Sequence, residues 1–154
     1  MITRPTTAQL LGAVRTEIAE RIAPAISDPQ LATSLHMIDH ILSTLMVRAD
    51  HELGWMVEEM NAVQAVATRV AESALPGAVH VADALTEFVS ARSGSAHAAD
   101  VTEDYNRASE VLSRAVEATS AETGELRESV LALLAGRLAH EESVIGDFQL
   151  VGRG

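Results

Sequence analysis

Leu31-Ala-Thr-Ser-Leu35-His-Met-Ile38-Asp-His-Ile41-Leu42-Ser-Thr-Leu45-Met-Val-Arg-Ala49 decides the fold class. Its apolar residues Leu31, Leu35, Ile38, Leu42, Leu45 and Ala49 advance in alternating steps of four and three. That spacing puts one side chain per turn on a single helix face. Met37, Ile41 and Met46 widen the face, so this helix is expected to touch two or more neighbours. Beyond Gly54 a second series follows: Met56, Met60, Val63, Ala67, Val70 and Ala74. Between the two, Ala49, Leu53 and Met56 fall out of phase. Read as one rod, the two series would span roughly 65–70 Å at 1.5 Å per residue. A break over Asp50–Gly54 is therefore expected.

Working outward, the same reading predicts an all-α, five- or six-helix bundle with antiparallel up-down helices, forming one domain over 1–154. The helices fall at about 7–26, 29–50, 55–75, 78–92, 101–120 and 125–145, with a loose tail at 146–154. Thr6 or Thr7 can cap the first helix, whose stripe is Leu11, Val14, Ile18 and Ile22. Pro24 kinks or ends it. Asp28-Pro29 restarts the chain as a capping carboxylate followed by proline in the first turn. Pro76-Gly77 ends the third helix. Val81, Ala82, Leu85 and Val89 point inward from the fourth. Ser93–Ala99 reads as a flexible loop, and Asp100 with Glu103 as a capping-box-like helix start. Val101, Tyr105, Ala108, Leu112 and Ala115 or Val116 make the next stripe; Leu126, Val130, Leu133, Leu134 and Leu138 make the last.

Composition excludes several activities. The chain has 154 residues with 47% hydrophobic but only 3% aromatic content, and a formal charge of −11. Nucleic acid and anionic membranes need basic surface that is missing here. All basic residues other than histidine are arginine, so lysine Schiff-base chemistry and a P-loop lysine are ruled out. No cysteine is present, which removes disulfides, thiolate catalysis and cysteine-ligated metals. No apolar run reaches the ~20 residues of a membrane span, and no leader is visible, so a cytoplasmic location is expected.

Few residues are placed for chemistry. His36, Asp39 and His40 lie one turn apart and could share a divalent metal, with His140 as a further ligand; they also read as a solvated polar face opposite the Ile38/Leu42 stripe. No glutamate stands three residues before any histidine, as a di-iron bundle requires. His51-Glu52 and His140-Glu141 begin a zinc-protease motif, but Trp55 and Val144 occupy its last position. Arg137 and Glu141 are spaced for an ion pair near an apolar face, which is structural, an interface, or a polar ligand site. Trp55, Met56 and Met60 line either a hydrophobic ligand pocket or the core. Glu58-Glu59 reads as a solvated face. No complete catalytic constellation is present, and no cofactor is required. The expectation is a non-catalytic interaction or accessory protein. It is expected to be a homodimer, because apolar residues exceed one stripe per helix, and a further protein partner fits the same reading. A metal- or ligand-binding bundle is the alternative.

Residues 4 to 56 carry a resemblance. Arg4-Pro5-Thr-Thr-Ala8-Gln-Leu10-Leu11-Gly-Ala13-Val14-Arg15, then Ala23-Pro24-Ala25, then Val47-Arg48-Ala-Asp-His-Glu52-Leu53, resemble a bacterial family of small uncharacterised helical proteins. Their genes often sit beside acyl-CoA dehydrogenases and aminoglycoside-phosphotransferase-like kinases. The family tends to close on a Lys-Leu…Asn-Pro stretch, whereas this chain reads Gly136-Arg137-Leu138 onward without it. The resemblance implies an accessory role in acyl-CoA or related catabolism, and transfers no catalytic residue.

Overall fold

In a computed structural model, residues 4–146 are described. They hold five α-helices and no strand: α1 (Thr7–Glu17), α2 (Pro29–Ala71), α3 (Ala78–Ala91), α4 (Ala98–Thr119) and α5 (Glu125–Ile145). The all-α reading of the sequence is correct. The packing of the described residues divides into two compact units, one comprising residues 4–52 and 141–146, the other residues 53–140. The expected loose tail lies, from residue 147, outside the described residues.

In the first unit, Thr6 caps α1. Its hydroxyl accepts from the Gln9 amide while the Gln9 side chain accepts from the Thr6 amide. The helix does not run to residue 26 as expected. After Glu17 the chain widens into a π turn (Ile18–Ile22) and then tightens into a 3-10 turn (Ala23–Ala25). Pro24 is the cause: it lacks an N–H, and its ring would strike the carbonyl four residues back. Ala23 accordingly reaches back five residues, to the Ile18 carbonyl. Asp28 then caps α2, accepting from the Gln30 and Leu31 amides at 2.8 and 3.4 Å.

The expected break at Asp50–Gly54 does not occur; α2 is one helix of 43 residues. One glycine in a helix costs about 1 kcal/mol relative to alanine, less than abandoning the hydrogen bonds on both sides. Arg48 and Glu52 also form an ion pair across the preceding turn. The phase slip has a different meaning: the division between the two units falls at residues 52 and 53.

The second unit carries the core. It joins Met60, Val63, Ala67 and Val70 of α2, Val81 and Phe88 of α3, Val101, Ala108, Val111, Leu112 and Ala115 of α4, and Val130 of α5. Phe88, seven residues after Val81, takes the inward place that the sequence reading gave to Val89, which is exposed. The pair α3 and α4 runs antiparallel, with Gly77 against Ala118 at one end and Ser93 against Asp104 at the other. A Cβ at Gly77 would stand 2.8 Å from that of Ala118, so only glycine allows this approach. The C-terminal part of α2 runs antiparallel to α5, as the ion pairs Arg69–Glu125 and Glu59–Arg137 require.

The Ser93 loop is tied down at its start. The buried Asp104 carboxylate accepts from the Ser93 amide and hydroxyl at 3.0 and 2.8 Å, and pairs with Arg107. Helix α4 starts at Ala98 behind His97, ahead of the expected capping box, leaving Asp100 in its first turn.

Candidate functional site

Two places collect the residues that the sequence singled out. In the second unit, three helices each contribute a pair about one turn apart: Trp55 and Glu59 from α2, Tyr105 and Ser109 from α4, Arg137 and His140 from α5. Such spacing places each pair on one helix face. Glu59 is the hub. One carboxylate oxygen accepts from the Tyr105 hydroxyl at 2.6 Å and from Arg137 Nε at 3.1 Å; the other meets His140 Nδ1 at 2.8 Å. The His140 ring stacks on Trp55, with centroids 4.5 Å apart and planes inclined by 8°. The Arg137 guanidinium lies over the Tyr105 ring at 4.8 Å and donates to the Ser109 hydroxyl at 3.3 Å. Ser109 in turn donates to the Tyr105 carbonyl.

Burial pushes the Glu59 carboxyl up, but the hydrogen bonds from Tyr105, His140 and Arg137 outweigh it and hold the group below the ordinary glutamate range. A carboxylate held low and already engaged by three donors is a poor general base, which works best with a pKa near the operating pH. The Ser109 proton is directed to a backbone carbonyl and not to the imidazole, so Ser109 is not an activated nucleophile. This network fixes the register of three helices.

The expected Arg137–Glu141 pair is not what forms. Arg137 turns to Glu59, and Glu141 is exposed. Glu59 adjoins Glu58 and reads with it as a solvated face, but only Glu58 is exposed; the Glu59 side chain is 14% exposed. The available signal was position: Glu59 lies directly before the core residue Met60 and one turn from Trp55. Of the three residues read as a hydrophobic pocket, Met60 is buried in the core, Met56 packs against it, and Trp55 covers His140.

In the first unit, Arg15 of α1 grips Asp39 of α2 through two parallel bonds, Nε at 2.8 Å and Nη2 at 2.9 Å. The bond from Arg15 holds the Asp39 carboxyl below its usual range, and His36 and His40 add to the effect. These residues border a hollow of about 210 Å³, together with Ser43, Thr44 and Ser143. Both carboxylate oxygens of Asp39 are thus committed to arginine. Among the described residues no three His, Cys, Asp or Glu side chains converge on a position for a metal ion. His140, the fourth residue of the expected set, is bonded to Glu59.

The apolar residues of the first unit tell a different story. Within residues 4–52, Ala8 is the sole buried side chain. Leu10 and Val14 of α1, and Leu31, Met37, Ile38, Ile41 and Leu45 of α2, are exposed.

Compared with protein-family models, curated proteins and solved structures, the chain matches none. No helix of the described residues is long and apolar enough to cross a membrane.

Proposed function

We propose that this chain is a non-catalytic helical interaction protein that works as a homodimer. One observation carries the reading: among the described residues of the first unit Ala8 is the one buried side chain, while many leucines and isoleucines of α1 and α2 are half-buried or exposed. Ordering a residue costs roughly 1–2 kcal/mol of backbone entropy, which a helix recovers mainly by burying its apolar face. An apolar surface left open on this scale belongs to an interface. The Glu59 network supports the same reading from the other side, because its groups are spent on one another.

The resemblance of residues 4–56 adds an accessory role in acyl-CoA metabolism to this proposal, with a further protein partner recruited by the dimer. Analytical ultracentrifugation together with a dye that reports exposed apolar surface tests the core of it. A dimer with little dye response supports the reading. A folded monomer with an equally low response contradicts it, because the open faces would then need no partner.

A further inference from the structure

We infer that the second copy docks on α1 and the N-terminal part of α2, so that two copies of this helix pair close into a four-helix bundle. The inference rests on the homodimer reading above and names its surface. Six side chains define that surface: Leu10 and Val14 on α1, and Leu31, Ile38, Ile41 and Leu45 on α2, each 43–55% exposed. Together they present on the order of 500 Å² of apolar area, which is the greater part of the ~800 Å² that each partner buries in a standard interface.

Three features select a second copy as the occupant. First, the surface is made of two consecutive helices joined through residues 18–28, and a pair of helix hairpins is the elementary way to build a four-helix bundle. Second, a two-fold axis lets the same stripe serve as knob and hole for its twin, so no separate complementary surface is needed. Third, electrostatics permits it. The chain as a whole carries a formal charge of −11, which would oppose self-association through most of its surface. From Pro29 to Val47, however, the only Asp, Glu or Arg is Asp39, and Arg15 neutralises it. Next to Leu10 and Val14 on α1, Glu17 pairs with Arg21 of the turn that follows, so two copies can approach along the α2 stripe with little like-charge repulsion.

Sedimentation of the wild type, Ile38→Glu, Leu45→Glu and Leu131→Glu decides the matter, with circular dichroism on each to verify helix content. Leu131 is a comparably exposed apolar residue on α5, outside the inferred surface. The wild type and Leu131→Glu are expected at twice the chain mass. Ile38→Glu and Leu45→Glu are expected to weaken association about 100-fold or more, because each places an unpaired charge in a desolvated seam. If Leu131→Glu dissociates while Ile38→Glu remains dimeric, the homodimer reading stands and the inferred surface is wrong. If the wild type itself sediments as a single chain, both fall; a bright dye response in that case means that a different protein covers the face. Should the glutamate variants lose helix, the absence of native cysteine allows a second approach. Ile38→Cys, Ile41→Cys and Leu45→Cys are oxidised beside Leu131→Cys; a disulfide-linked dimer from at least one of the first three and none from the last supports the inference, and linkage from Leu131→Cys alone overturns it.

Discussion

The two parts of α2 carry similar apolar stripes and meet different fates. After residue 52 the side chains Met60, Val63, Ala67 and Val70 are buried among α3, α4 and α5. Before it, Leu31, Ile38, Ile41 and Leu45 remain open. Periodicity alone sets which way a side chain points; whether it is covered depends on what else the chain supplies. Among the described residues, helices α3, α4 and α5 cover one part only; in the proposed dimer a second copy covers the other.

The largest effect that can break this comparison lies in the covered part. Phe88→Ala removes a fully buried ring and is expected to cost about 3–5 kcal/mol, read by denaturant unfolding. The loss should be the same at any protein concentration, because that core is internal to one chain. A strong concentration dependence would mean that the second unit also relies on its partner.

Next is the network hub. Glu59→Gln leaves Arg137 half-buried beside a neutral amide and should destabilise by about 2 kcal/mol near neutral pH. The pH dependence has a definite sign. The folded pKa of Glu59 lies below the ordinary value of about 4.3, so its unfolded form binds protons first as pH falls. Its contribution is complete above that ordinary value and disappears as pH falls through the folded value. Wild type and Glu59→Gln should therefore converge in stability as the pH is taken below the folded value. A difference that persists there would show that shape, not charge, is what Glu59 provides.

A smaller effect tests the junction. A Cβ at Gly54 meets nothing within 4 Å, so Gly54→Ala should stabilise the protein by roughly 0.5–1 kcal/mol if α2 is continuous there. A bend at Gly54 would instead make the substitution neutral or harmful. Smallest of all, Arg48→Ala removes an exposed i,i+4 pair and should cost about 0.3–0.5 kcal/mol, shrinking in high salt.

The helical class and the bounds of α5 were legible because long stretches keep a 3.6-residue rhythm and Gly124 punctuates the start of the last helix. The phase slip near Leu53 was legible too, but its meaning was not: it marks a change of neighbours, and a helix can change neighbours without breaking. The site was half legible. Arg137 and His140 stood out as ionisable groups near an apolar face. Their partner did not, because Glu59 comes from a helix some eighty positions away in sequence, and no local pattern distinguishes it from Glu58. The Arg15–Asp39 clamp was hidden for the same reason: His36 and His40 drew Asp39 into a metal reading, while the arginine that claims it sits on another helix.

Amide hydrogen exchange along α2, followed at high and at low protein concentration, tests the central claim most directly. If a second chain covers the N-terminal part, residues 29–52 lose protection on dilution below the dissociation constant while residues 60–70 keep theirs. Protection that stays equally strong in both stretches down to concentrations where sedimentation shows a single chain would contradict the account.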